Sequence, residues 1–212
     1  TLWGVGVDKR NLANKEGIFK WNHDGLRAED LGVKAKGSAK TLQAILDVNR
    51  IETYPVEPSF IEDLDNTWRQ PAKVEFFVDF ETVSDLNDDF SNTPESGGTP
   101  LIFMIGCGHL EAEKWIWRSF TTERLTEEHE GLIIDQWMDY MYQVQNHLDP
   151  GGYSPTVYHW SHAEVSTFDS AFNSAKNRHS DKEWPSLNWY DFLKEVIKKE
   201  PVVVNGAFGF GL

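Results

Sequence analysis

The chain has 212 residues, of which 40% are hydrophobic and 13% aromatic, and its formal net charge is −14. This length accommodates one full domain and a smaller one, and the composition excludes a disordered chain. The single cysteine, Cys107, excludes an internal disulfide and any four-cysteine zinc or iron–sulfur site. The sequence shows neither an apolar run long enough to span a membrane nor a signal-peptide pattern, so we expect a cytoplasmic protein without a membrane partner.

The charge is distributed unevenly along the chain. Residues 1–50 carry nine Lys or Arg against six Asp or Glu, whereas residues 73–212 carry ten against twenty-three. Because phosphate backbones are bound by basic surfaces, the N-terminal part is the better candidate for contact with nucleic acid. The acidic C-terminal part is compatible with bound cations, which reverse the local charge.

Residues 1–50 predict a small all-helical module. A short helix over Lys9–Lys15 closes at Gly17, and Thr41–Val48 has the apolar spacing of a second helix. The expected core consists of five apolar residues: Ile18, Trp21, Leu26, Leu31 and Val33. Short helices joined by glycine-containing turns suit a helix-hairpin-helix arrangement that grips phosphates, and they suit a module that only packs at least as well.

Prolines and an acidic run predict a linker over residues 51–72. The second domain then covers residues 73–212, with a polar loop at Ser84–Gly98 and a turn at Gly108. Its first three strands are predicted from apolar, β-branched and aromatic runs. These strands are Val74–Phe80, Leu101–Cys107 and Lys114–Phe120.

A long helix is predicted from Thr122 or Glu123 to about His147, because its apolar residues form one stripe. That stripe consists of Ile134, Trp137, Met138, Met141 and Val144. The later elements are a strand at Thr156–Trp160, a helix beginning near His162, a strand at Leu187–Tyr190, a helix at Asp191–Lys199 and an extended piece at Val202–Val204. This order predicts an α/β fold with a mixed five-stranded sheet flanked by helices.

Two acids, Asp79 and Glu81, end the first strand of this domain. Side chains two positions apart on a strand point to the same face, so these carboxylates converge. Two neighbouring carboxylates repel each other unless a cation or a shared proton lies between them. An all-oxygen site of this kind suits Mg²⁺ or Mn²⁺, although the same pattern also describes two solvated acids at a strand end.

A second acidic element is the segment Val157-Tyr-His-Trp-Ser-His-Ala-Glu164. Glu164 falls in the first turn of a predicted helix that directly follows a strand. In a sheet of this order it lies beside the end of the first strand, so Asp79, Glu81 and Glu164 are expected to surround one or two cations. Two such metals, about 4 Å apart, bind a scissile phosphate. Taken alone, Glu164 fits equally well as an acid favoured by the helix dipole.

Three motifs together resemble the ribonuclease-H-like domain of the DEDD exonuclease superfamily: Phe77-Val-Asp79-Phe-Glu81, Tyr158-His-Trp-Ser-His-Ala-Glu164 and Trp189-Tyr-Asp191. More narrowly, the chain is similar to the predicted RecB-family nucleases, in which this domain follows a small helical module. The segments Gly4–Asn49 and Pro201–Leu212 are similar to the same family. The resemblance implies a 3′–5′ exonuclease with two divalent metals and with DNA or RNA as its partner.

The resemblance also implies roles for individual residues. Asp79 and Glu81 would be catalytic metal ligands, Glu164 would be a third at a position where Asp is more usual, and Asp191 would have a supporting role. The last motif of the superfamily, a Tyr or His followed by an Asp, has no match in the sequence. The chain therefore lacks one expected ligand. Because it begins with Thr1 and ends in the apolar, glycine-rich stretch Gly206–Leu212, we expect a fragment of a longer parent protein. The alternative is a non-catalytic ribonuclease-H-like scaffold or nucleic-acid-binding module.

Several other residues allow two interpretations. His159 and His162 lie close to Glu164, where supporting hydrogen-bonding histidines are favoured over zinc ligands because no cysteine completes the set. Asp169 is the fallback ligand if the helix begins elsewhere. Three tryptophans, Trp115, Trp117 and Trp160, have the residue type that stacks on bases, but tryptophans on strands more often belong to the core. The apolar residues Phe208, Phe210 and Leu212 are expected to be exposed and to have no packing role.

Overall fold

The computed structural model describes residues 2–50, 56–58, 60–61, 67–70, 72–83, 101–160, 167–197, 199 and 201–210. The chain forms two compact units, one from Thr1–Leu64 with Val196–Leu212 and the other from Asp65–Glu195. In chain order the elements are α1 (Val7–Lys15), α2 (Lys36–Arg50), β1 (Val56–Glu57), a 3₁₀ turn (Thr67–Arg69), β2 (Glu75–Val83), β3 (Leu101–Glu111), β4 (Lys114–Thr121), α3 (Glu127–Leu148), β5 (Thr156–His159), α4 (Thr167–Arg178), β6 (Asn188–Asp191), a π-helical turn (Leu193–Ile197) and β7 (Val203–Val204). None of the described helices is long and apolar enough to cross a membrane.

The first unit is built around α1 and α2. Helix α1 ends before Gly17, whose φ of 82° lies in the left-handed region that glycine adopts without strain. Helix α2 is longer at both ends than the sequence predicts. Among the described residues, one buried cluster of this unit consists of Val5, Ala13, Leu26, Ala28, Leu31, Val33, Leu42 and Leu46. Ile18 and Trp21, which were predicted as core, pack against this cluster and stay partly exposed.

The C-terminal segment packs within the first unit. The main-chain N–H of Trp3 donates to the carbonyl of Phe208 at 2.7 Å. The rings of Trp21 and Phe208 lie 5.0 Å apart, and those of Trp3 and Phe210 lie 5.6 Å apart. The expectation that Phe208 and Phe210 have no packing role is therefore wrong, because each of them contacts a tryptophan of the helical part. Leu212 lies outside the described residues.

The observed division of the chain differs from the predicted one. Val196–Leu212 clusters with the first unit, whereas the sequence places residues 73–212 in a single domain. The physical reason is a small antiparallel pairing, in which Val56 faces Val204 and Glu57 faces Val203. Part of the predicted linker thus forms β1, and the predicted extended piece at Val202–Val204 contributes β7.

The second unit contains a mixed five-stranded sheet in the order β4–β3–β2–β5–β6. Strand β2 runs antiparallel to β3 and parallel to β5, while β3 and β4 pair antiparallel and β5 and β6 parallel. The predicted mixed α/β architecture with five strands is confirmed. Its layout is compatible with a ribonuclease-H-like sheet, which stays a prediction.

Helices α3 and α4 cover one face of this sheet. Alternate residues of β2, Phe76 and Val78, are buried against the helices in the same cluster as Trp137 of α3 and Phe172 of α4. The predicted apolar stripe of the long helix is confirmed, since four of its five members are buried: Ile134, Trp137, Met138 and Met141. Period-two burial on β2 and a helical stripe on α3 together make this core.

In the second unit, three of the described elements differ most from the predictions. Strand β3 continues through Gly108, and the turn falls at Ala112 and Glu113, which both have positive φ. Helix α3 begins at Glu127, where the side chain of Thr126 accepts a hydrogen bond from the N–H of His129 and caps the helix. The predicted helix over residues 191–199 is a π-helical turn of five residues. The predicted polar loop at residues 84–98 lies outside the described residues.

Candidate metal site

Strand β2 places Asp79 and Glu81 on one face of the sheet. Asp79 pairs with Gly106 of β3 and Glu81 pairs with Met104, and the ladder stays regular between them because its register shift comes only after Glu81. Both acids are exposed, whereas Phe76 and Val78 point to the buried helical side. The prediction that the two carboxylates share a face is thus confirmed by the register.

The carboxyl of Asp79 is partly desolvated although the residue as a whole is exposed. Burial raises the pKa of Asp79, and a hydrogen bond with the backbone of Phe80 opposes that rise. In the described part of the chain, no lysine or arginine forms an ion pair with Asp79 or Glu81. Two oxygen donors without a cationic side chain fit a hard divalent ion, whose other positions are filled by water or phosphate oxygens.

The neighbouring strand β5 ends beside this pair. Val78 faces His159 in the parallel ladder, so the chain leaves β5 at the level of Asp79. The carboxyl ends of neighbouring parallel strands lie at the same end of a sheet. The second acidic motif needs this arrangement for its acid to lie near Asp79 and Glu81. Two predicted site residues, Glu164 and His162, lie outside the described residues.

The register places the two remaining supporting residues on the other face of the sheet. His159 is buried and pairs with Val78 on one side and with Asp191 on the other, so both follow the helical face. The ring of His159 lies 5.6 Å from that of Trp189, and one carboxylate oxygen of Asp191 accepts a hydrogen bond from the N–H of Lys194 at 2.9 Å. The described structure therefore brings Asp79 and Glu81 together and does not bring His159 or Asp191 to their side.

Within the described ranges, no group of three His, Cys, Asp or Glu residues is arranged to hold a metal ion. The predicted set of three acids is not covered by that finding, because its third member, Glu164, is not among those residues. The predicted fallback, Asp169, is a residue of helix α4.

Glu130 of α3 is a buried carboxylate that the sequence pattern alone does not predict. Glu130 is fully buried and accepts hydrogen bonds from Arg178 at 2.6 and 3.0 Å and from the N–H of Ile102 at 2.7 Å. The Nε2 atom of His179 lies 3.0 Å from its second oxygen. A signal was present, because Glu130 is four residues before Ile134 and so extends the apolar stripe. This network joins α3, α4 and β3, which is a structural role.

Two tryptophans also differ from their expected role. Trp115 and Trp117 of β4 are 51% and 53% exposed, so the interpretation of both as core residues is wrong. Strand β4 is the edge of the sheet, and only Phe120 of its eight residues is buried. A strand with one covered face buries only the residues that point to that face, as Phe120 does, whereas the register places Trp115 and Trp117 on the other face.

Comparisons with known proteins add no identification: no protein-family profile matches this chain, and no curated protein matches it.

Proposed function

We propose that the second unit is a divalent-metal-dependent nuclease domain, which hydrolyses phosphodiester bonds of DNA or RNA from a 3′ end. The observation that carries this proposal is the placement of Asp79 and Glu81 on one face of the central strand β2, at the edge where its parallel neighbour β5 ends. The three sequence motifs that resemble the RecB-family nucleases supply the reaction class and its direction.

The proposed ligands are Asp79, Glu81 and Glu164, which would hold Mg²⁺ or Mn²⁺. When bound, such ions polarise a phosphate oxygen and lower the pKa of a bound water. The contribution of the chain is to fix the carboxylates on a strand whose opposite face is locked in the core by Phe76 and Val78. A rigid strand keeps the two acids in position before substrate arrives, which is the requirement for electrostatic catalysis.

The first unit is proposed to hold the nucleic acid. Its N-terminal residues 1–50 carry nine basic residues against six acidic ones, which is the reverse of the balance in the rest of the chain. Sequence-independent contact with phosphates requires such a surface.

The deciding experiment replaces Asp79 by Asn and, separately, Glu81 by Gln. Each change removes one negative oxygen ligand, so we expect Mn²⁺-dependent degradation of a 5′-labelled single strand to fall about 100-fold or more. The matched control is Glu75→Gln, since Glu75 lies on the same face of the same strand four residues before Asp79. Full metal-dependent activity in the Asp79→Asn variant would reject the proposal.

A non-catalytic ribonuclease-H-like scaffold is the second candidate, because the last motif of the superfamily has no match in the sequence. Titration calorimetry with Mn²⁺ separates the two candidates. A nuclease site gives a heat of binding that disappears in the Asp79→Asn variant, whereas a scaffold gives no heat that depends on Asp79.

A further inference from the structure

The exposed side of the sheet carries two indole rings that lie on glycines. A Cβ atom added to Gly106 would stand 2.3 Å from Cζ2 of Trp117, and one added to Gly108 would stand 2.3 Å from Cζ2 of Trp115. Neither glycine has a positive φ, so its bare Cα serves close approach, not backbone bending. The rings of the edge strand β4 therefore reach across β3 at these two positions.

The exposure of these rings shows how they lie. Trp115 is 51% and Trp117 53% exposed, although both touch the backbone of the neighbouring strand. A flat ring with one face on the sheet and the other open to solvent has about this exposure. We call Trp115 and Trp117 the indole platform.

The indole platform lies next to the acidic pair. Gly106, under Trp117, is the register partner of Asp79, and Gly108, under Trp115, is the partner of Phe77. The rings of Trp115 and Phe77 are 5.2 Å apart, and Phe77 stacks on Tyr158 at 5.2 Å. Partners in an antiparallel ladder have Cα atoms about 5 Å apart. Because Trp117 lies on Gly106, a base stacked on its open face would have its own nucleotide beside Asp79.

The chemistry of this surface selects its ligand. Planar rings with open π-faces bind other planar rings, and nucleic-acid bases are the planar groups that the neighbouring site would process. The nearby charged residues of β2 are the acids Glu75, Asp79 and Glu81, so phosphates gain no attraction here without a bound cation. A duplex hides its base faces in its own stack, whereas a single strand offers them.

We propose that Trp115 and Trp117 stack the bases of a single-stranded nucleic acid and direct its backbone towards Asp79 and Glu81. This inference rests on the proposed nuclease function and specifies its substrate as single-stranded. Base stacking on one aromatic side chain changes affinity by about 10- to 100-fold, which two rings would raise further.

The test measures anisotropy of a short fluorescein-labelled oligodeoxythymidylate with the whole chain, in Ca²⁺ and again in EDTA. We expect Trp117→Ala and Trp115→Ala to weaken binding about 10-fold or more each, and Trp117→Phe to restore most of it. Gly106→Ala keeps every aromatic side chain but displaces the indole, so it should weaken binding as well. A duplex of the same length should bind weakly and respond to none of these changes.

The control variant is Tyr142→Ala, since Tyr142 is an exposed aromatic residue on α3, which covers the opposite face. It should bind like the unchanged protein, and circular dichroism checks that each variant is folded. Unchanged affinity in both tryptophan-to-alanine variants, or no measurable binding of single strands by the unchanged protein, would overturn the inference. So would a concentration-dependent dimer in sedimentation that both variants abolish, because a second copy would then occupy the platform.

The same variants separate this inference from the proposed nuclease. Binding that depends on the tryptophans without any Mn²⁺-dependent cleavage supports the platform and rejects the nuclease. Cleavage that depends on Asp79 but is unchanged in the tryptophan variants rejects the platform and leaves the nuclease.

Discussion

Tyr158 and Glu75 show how a single hydrogen bond controls two titrating groups on the open side of the sheet. The hydroxyl of Tyr158 donates to Oε1 of Glu75 at 3.2 Å. Burial and the nearby negative charge of Glu75 raise the pKa of Tyr158 to about 12, so the phenol stays neutral and remains a donor. Burial raises the pKa of Glu75 above its ordinary value of 4.5, and the hydrogen bond from Tyr158 opposes that rise.

We predict that Tyr158→Phe destabilises the protein more at neutral than at acidic pH. Folding raises the pKa of Glu75. Its contribution to the free energy of unfolding is therefore fully present below the pKa that Glu75 has in the unfolded chain, and it is lost as the pH rises through the pKa that Glu75 has in the folded protein. Removing the Tyr158 hydroxyl raises the pKa of Glu75 in the folded protein further, so more stability is lost when Glu75 ionises. In urea denaturation, the free energy of unfolding of Tyr158→Phe should be about 1–2 kcal/mol below that of the unchanged protein at pH 7, and the difference should be smaller below about pH 4.

The matched control for this prediction repeats Tyr158→Phe in a Glu75→Gln background. There the deficit should no longer depend on pH, because the titrating partner is gone. A deficit that is equal at both pH values in the native background would contradict the assignment to Glu75.

At the scale of elements, the second unit depends on how α3, α4 and β3 are joined. Glu130 of α3 takes hydrogen bonds from Arg178, at the end of α4, and from the N–H of Ile102, at the start of β3. A buried carboxylate is tolerated only where its charge is paired and its oxygens are hydrogen-bonded. The network fixes the position of both helices on the face of the sheet opposite Asp79.

We predict that Glu130→Ala lowers the free energy of unfolding by about 3 kcal/mol or more, because Arg178 and the N–H of Ile102 lose the buried carboxylate that accepts their hydrogen bonds. Urea denaturation followed by circular dichroism measures the loss. The control is Glu128→Ala, an exposed glutamate in the first turn of the same helix, which should change stability by less than about 1 kcal/mol. Equal midpoints for the two variants would show that the network does not stabilise the unit.

The sequence predicted what depends on periodicity and on strand order. The shared face of Asp79 and Glu81 follows from a period of two, and the parallel placement of β5 beside β2 follows from the alternation of strands and helices. The spacing of Glu130 from Ile134 indicates burial, but it does not decide the matter, since the partner Arg178 is 48 residues away and an acid near a helix start is usually solvated. Gly108 was read as a turn, although the structure uses it for close approach of Trp115.

At the scale of the whole molecule, the two halves of the first unit are held together by side-chain amides as well as by β1 and β7. Asn49 donates to the carbonyl of Ala207 at 3.0 Å and accepts from the N–H of Gly206 at 2.8 Å. Asn205 donates to the carbonyl of Val48 at 2.9 Å. Contacts about 157 residues apart in sequence thus close this unit, and neither residue carries a local signal that predicts them.

We predict that Asn49→Ala destabilises the first unit by about 1–3 kcal/mol, because two polar main-chain groups lose their partner. The main-chain amides of α2 should therefore exchange their hydrogens at a lower urea concentration than in the unchanged protein, which hydrogen exchange along a urea series measures. Asn14→Ala is the matched control, since Asn14 is an exposed asparagine on α1. An unchanged midpoint for Asn49→Ala would show that the amide bridge does not contribute.

The pairing of β1 with β7 has a consequence for biosynthesis. The ribosome makes Thr1–Leu64 before Asp65–Glu195, and it delivers Val196–Leu212 only after every residue of Asp65–Glu195 has been translated. The nascent helices must therefore wait for the contacts that Trp3 and Trp21 make with Phe210 and Phe208 until the intervening segment has been made. Cells that translate this chain slowly would prolong that vulnerable interval, and premature termination before Val203 would leave the helical part without its closing strand.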